Sequence, residues 1–116
     1  MSDVEKIYTL DEVTPKPGRA QEFLNAYMEH YGPGAKARGM KLEFSWITPP
    51  MWLENQSNTL YFVWSVPNVA GWWAAQMQAR VDLSLADWWR DMQVIIESRR
   101  RNFLADVSQV AKLTHV

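Results

Sequence analysis

The chain predicts an α+β fold: one four-stranded antiparallel sheet with both helical layers on the same face. Three observations lead there. The hydrophobic period switches along the 116 residues in the order strand, helix, strand, strand, helix, strand. Right-handed crossovers in a βαββαβ order then put both helical layers over one side of the sheet. Finally, the run Leu60-Tyr61-Phe62-Val63-Trp64-Ser65-Val66 is apolar on both faces of a strand, because successive side chains alternate sides. Helices cover one of those faces, so the other calls for a second copy of the chain.

Each element has its own signals. Lys6 to Val13 carries apolar residues on both parities and ends at Thr14-Pro15-Lys16-Pro17-Gly18, where proline halts a strand and opens a helix. From Arg19, the set Ala20, Phe23, Leu24, Tyr27, Met28 and Tyr31 recurs at steps of three and four, one helical face. Gly32-Pro33-Gly34 is expected to end that helix, with a further turn at Ala35 to Arg38. Met40 to Thr48 alternates, Leu42, Phe44 and Trp46 against Lys41, Glu43 and Ser45, and Pro49-Pro50 stops it. The connection from Pro49 to Asn58 is long for a hairpin; its Met51, Trp52 and Leu53 suit either a lid or packing of Trp52 on a strand edge or a neighbouring subunit.

After the third strand, Asn68 is placed as the N-cap of a helix whose apolar side is Val69, Trp72, Trp73 and Met77. A bend or end is expected near Asp82. Ser84-Leu85-Ala86-Asp87 resembles a capping box that restarts the helix. Leu85, Trp88, Trp89, Met92, Ile95, Ile96 and Phe103 then continue at helical spacing, so Arg99-Arg100-Arg101 closes a long helix as a solvated end. Val107 to Val116 is read as strand four.

Composition bounds the classes. One domain over residues 1–116 is expected, and a chain of this length removes roughly 65% of its unfolded surface from water. Hydrophobic residues at 47% and charged residues at 22% exclude disordered, collagenous and membrane-embedded classes. With 12 basic and 13 acidic residues and a formal net charge of -1, no electrostatic footprint for nucleic acid is present. No apolar segment approaches the ~20 residues that span a bilayer. Met1-Ser2-Asp3-Val4-Glu5-Lys6 does not read as a signal peptide, and there are no cysteines, so a cytoplasmic location is expected.

The βαββαβ order is that of ferredoxin-like folds. Their bare sheet face marks an association surface, and a twofold dimer with the two sheets stacked into a barrel-like core closes it. Tyr8-Thr9-Leu10, Lys16-Pro17-Gly18-Arg19 and Glu22-Phe23-Leu24-Asn25-Ala26-Tyr27, followed by the strand pair and the tryptophan-rich helix, resemble the dimeric α+β barrel superfamily, NIPSNAP-like and EthD-like members in particular. The resemblance implies a homodimer. That superfamily includes cofactor-independent oxygenases, isomerases, cyclases and haem-degrading enzymes, so fold does not fix function.

No nucleophile elbow, phosphate-cradling glycine loop, zinc-protease helix or dinucleotide fingerprint occurs. The two histidines, His30 and His115, are the proton-exchanging candidates, and the expected topology brings both to one end of the sheet with Tyr31, Lys41 and Trp72. On that reading His30 is a general base, and Tyr31 or Lys41 polarises an oxygen. The plainer alternative has His30 capping a helix end and His115 at a frayed terminus. No metal ligand set and no cofactor is expected. Seven tryptophans supply the walls of a hydrophobic pocket, assigned to Trp46, Trp72, Trp88 and Trp89 with His115, against the alternative that these rings are core or dimer contacts. Two functions follow: a cofactor-free enzyme acting on a small aromatic molecule, or a non-catalytic homodimeric ligand-binding or interaction module.

Overall fold

The computed structural model describes residues 5–113. Strand β1 (Ile7–Pro15) leads into helix α1 (Ala20–Ala26), which widens into a π-helical segment (Tyr27–Tyr31) and continues as α2 (Gly32–Ala37). Then come β2 (Lys41–Thr48), β3 (Thr59–Val66), α3 (Val69–Arg80), α4 (Leu83–Met92) and β4 (Ile96–Leu104). A 3-10 turn (Val107–Gln109) and a short α5 (Val110–Leu113) complete the described chain. The sheet is antiparallel in the order β2-β3-β1-β4.

Register sorts the side chains onto two faces. Phe103, Thr9, Trp64 and Leu42 form one cross-strand row, and Arg101, Asp11, Phe62 and Ser45 the next, both beneath the helices. Asn102, Leu10, Val63 and Phe44 form a row on the opposite face, as do Arg100, Glu12, Tyr61 and Trp46. Phe23, Tyr27 and Tyr31 descend from the first helical layer onto Leu60, Phe62 and Trp64, all buried, and Tyr27 stacks on Phe62 with ring centroids 3.9 Å apart. The principal extents of 47 × 31 × 18 Å fit a slab of one sheet and one helical layer, and among the described residues the second sheet face is open over β2, where Phe44 and Trp46 are exposed.

Four sequence expectations are corrected. Gly32-Pro33-Gly34 does not stop the first helix. Pro33 lacks an N–H and its ring crowds the preceding turn, and the π-turn upstream, where the Gly32 N–H bonds the Tyr27 carbonyl, carries the helix past it. Ile96 to Leu104 is a strand rather than the end of a long helix: α4 stops at Met92, and strand pairing with β1 outweighs the helical spacing of Ile96 and Phe103. Strand four is therefore not Val107 to Val116; 107–113 are the 3-10 turn and α5, and 114–116 lie outside the described residues. Lastly, a bulge at Glu43 shifts the parity of β2, so that Leu42 faces the helices while Phe44 and Trp46 face away.

The 49–58 connection is stapled rather than lid-like. Buried Asn58 accepts from the Leu53 N–H (3.0 Å) and donates to the Met51 carbonyl (2.8 Å). Gly18, at φ +74, lies against it: a Cβ there would collide with the Glu54 carbonyl oxygen.

Candidate functional site

Two features above the sheet gather charged and aromatic groups. The deeper is a sealed polar network. Asp11 is fully buried on central strand β1. Its Oδ1 accepts from Arg101 Nε (2.5 Å), and its Oδ2 accepts from Arg101 Nη2 (3.0 Å) and the Tyr27 hydroxyl (2.8 Å). The Trp64 indole N–H donates to the Tyr27 oxygen (2.7 Å), and Arg101 Nη2 also donates to the Tyr31 oxygen (3.2 Å). The geometry is a bidentate arginine–carboxylate pair with its remaining capacity filled by phenols, which is how a buried charge is tolerated.

Electrostatics follow the packing. Burial pushes the Tyr27 phenol well above the ordinary tyrosine value, and the Asp11 charge pushes the same way. Burial alone would lower the Arg101 guanidinium, but its bonds to Asp11 and the Asp11 charge outweigh that and raise it. Arg99, whose guanidinium lies 3.6 Å from the centre of the Trp89 ring, is lowered by burial and by its neighbour Arg101.

The shallower feature is a cleft of about 390 Å³ between the π segment with α2 and helix α4. One face of α4 supplies Ser84, Leu85, Asp87, Trp88 and Asp91, residues at helical spacing. Opposite stand His30, Tyr31, Gly34 and Arg38, with Asp82 at the end of the cleft. Helix α4 starts there because Asp82, not Ser84, is its N-cap: Oδ1 accepts from the Leu85 N–H (3.2 Å) and the Ser84 hydroxyl (2.6 Å).

Of the residues singled out from the sequence, His30, Tyr31 and Trp88 come together in this cleft. The His30 side chain is 60% exposed at its rim, with Nε2 3.9 Å from Glu29 Oε2. Lys41 is exposed at the start of edge strand β2 and does not line the cleft. Trp46 lies on the bare sheet face, 55% exposed and stacked on Phe44 at 4.7 Å. Trp72 packs edge-on against Phe103 and Trp73, and Trp89 packs against Phe23, Tyr27 and Tyr31. His115 lies outside the described residues. Among the described residues, no group of three or more His, Asp or Glu is placed to hold a metal ion.

Sequence reasoning missed Asp11, Arg38, Asp91 and Arg101. The one available signal was an aspartate in the middle of the first apolar strand, where a charge is buried only with a partner.

The element order, the β2-β3-β1-β4 sheet and the one-sided helical layer define a ferredoxin-like α+β protein. Its fold is like that of solved NIPSNAP family proteins. A NIPSNAP domain protein from Burkholderia xenovorans is 17% identical with a TM-score of 0.66, covering 88% of this chain and 95% of its own. A NIPSNAP family protein from Agrobacterium tumefaciens is 16% identical (TM-score 0.68; 89% and 94% covered). A protein of unknown function from Rhodopseudomonas palustris is 19% identical (TM-score 0.64; 90% and 84% covered). No protein-family model and no curated protein matches the sequence. Among the described residues no helix is long and apolar enough to cross a membrane.

Proposed function

We propose that the chain works in the cytoplasm as a homodimer, joined through its bare sheet faces, that binds a small, flat, partly apolar molecule in the α2–α4 cleft of each protomer without a cofactor. The observation that carries the binding reading is the convergence of His30, Tyr31 and Trp88 on a hollow of a size suited to a small ligand. Exposed Phe44 and Trp46, continuous with Tyr61 and Val63 across the sheet, support the dimer.

Binding without catalysis is the better reading of His30. A general base is oriented by a second group, and among the described residues no hydrogen bond fixes the His30 ring; its nearest charge is a rim glutamate. The cofactor-free enzyme, with His30 as base and Tyr31 polarising an oxygen, keeps one argument: both side chains border the same cleft.

Light scattering tests the dimer, with a mass twice 13.5 kDa expected and a stable monomer at micromolar concentration overturning it. Ligand-observed NMR with a panel of flat aromatic fragments tests the cleft. Binding lost in Trp88→Ala but kept in His30→Ala supports a binding module, whereas fragments turned over only when His30 is present would restore the enzyme.

A further inference from the structure

We propose that the α2–α4 cleft selects a small zwitterion, with Arg38 taking its anionic group, Asp91 its cationic group and Trp88 its flat body. The inference rests on the reading that this cleft binds a small molecule, and it names the chemistry selected.

Arg38 is the anomaly. It is only 8% exposed, lines the cleft, and its Nε is sealed from water with no hydrogen-bond partner. No ion pair within 4 Å reaches it among the described residues, although its charge acts on the Asp82 carboxylate at the end of the cleft. Its guanidinium instead stands 5.6 Å from the centre of the Tyr31 ring. A buried guanidinium is costly to leave unpaired, and a carboxylate matches its donor fork. Gly34 passes close beside the guanidinium, where a Cβ would sit 3.1 Å from Arg38 Nη1 and crowd it.

The opposite wall is acidic, and two of its three carboxylates are already engaged. Asp82 caps α4, and Asp87 accepts from Arg90 Nη2 (2.7 Å). Asp91 has no such partner among the described residues. An anion alone would satisfy Arg38 but face the acidic wall, and a cation alone would leave the Arg38 Nε–H without an acceptor. A molecule bearing both charges answers both groups. Leu85, Trp88 and Asp91 lie three residues apart on α4, so an apolar wall runs directly beside the free carboxylate.

The test uses the full chain and four probes that share one ring: tryptophan, tryptamine, indole-3-acetate and indole, titrated by calorimetry and by saturation-transfer NMR. Tryptophan is expected to bind at least ~10-fold more tightly than the other three. Arg38→Gln should remove its advantage over tryptamine, and Asp91→Asn its advantage over indole-3-acetate. Should Arg38→Gln fail to fold, the exposed Asp91→Asn carries the test. Equal affinities for all four probes, with binding still lost in Trp88→Ala, would overturn the zwitterion and leave the binding reading standing. No saturation transfer from any probe would overturn both.

Discussion

The two faces of the sheet solve the same problem in opposite ways. Beneath the helices, β1 and β4 bring a carboxylate and a guanidinium into the interior and satisfy them there, Asp11 with Arg101 and two tyrosines. On the other side, β2 and β3 present exposed aromatic rings, Phe44 at 50% and Trp46 at 55% exposed. Position in the sheet decides more than residue type. Polar groups are tolerated where the chain itself completes their bonds, and apolar groups stay exposed where only another molecule can complete the burial.

The largest effect comes from breaking the covered face. Asp11→Ala leaves Arg101 with its charge half-buried and deprives Tyr27 of its acceptor. Removing one partner of a buried pair costs roughly 3–5 kcal/mol, a large share of the stability of a small domain. Urea denaturation should show that loss. A variant within 1 kcal/mol of the parent would mean water already reaches the network.

The bare face is broken by Phe44→Ser with Trp46→Ser. Both rings are exposed in the single chain, so its fold should change little, whereas the proposed dimer should weaken at least ~100-fold, about 3 kcal/mol. Light scattering across a dilution series reads the dissociation. Unchanged association would move the interface elsewhere.

The contrast also explains what the sequence disclosed. The element order, β1 to β3, the Asn68 cap and the doubly apolar β3 were legible because each rests on local period or capping. β4 was not. Ile96 and Phe103 fall at helical spacing, and only the pairing of eight residues of this segment with β1 reveals them as strand. With β4 misread, Arg99-Arg100-Arg101 became a helix end, and Arg101 could not be seen opposite Asp11. The continuation of the first helix through a π-turn hid the cleft in the same way, because Arg38 appeared to belong to a turn beyond a terminated helix. His30, Tyr31 and Trp88 were singled out by residue type, and that they border one cleft, with Arg38 and Asp91, emerges only from the tertiary arrangement.

A smaller effect tests the network through pH. Burial and Asp11 raise the Tyr27 phenol, so above about pH 10 unfolded tyrosine ionises while Tyr27 in the fold stays neutral. Its contribution is complete below that value and is lost as pH rises further. Tyr27→Phe should cost roughly 1–3 kcal/mol at neutral pH, because it strands the Trp64 N–H and removes a donor to Asp11. The variant should also lose less stability than the parent between pH 9 and 11 in denaturation curves. Parallel curves would place the Tyr27 hydroxyl in contact with solvent.

The finest comparison lies within one tripeptide. Arg100 and Arg101 are neighbours on β4, so their side chains go to opposite faces: Arg101 to the network, Arg100 to Glu12 on the bare face (2.7 Å) with its side chain 71% exposed. An exposed pair of this kind contributes roughly 0–1 kcal/mol, so Arg100→Gln should be nearly silent in a dissociated chain, while Arg101→Gln leaves Asp11 buried and unpaired and costs several times more. Denaturation at two protein concentrations separates fold from assembly. If the sheets stack as proposed, Arg100 and Glu12 lose their water on association, and Arg100→Gln becomes more costly at the higher concentration. An Arg100→Gln cost that is the same at both concentrations would leave that row of the sheet outside the interface, whatever covers Phe44 and Trp46.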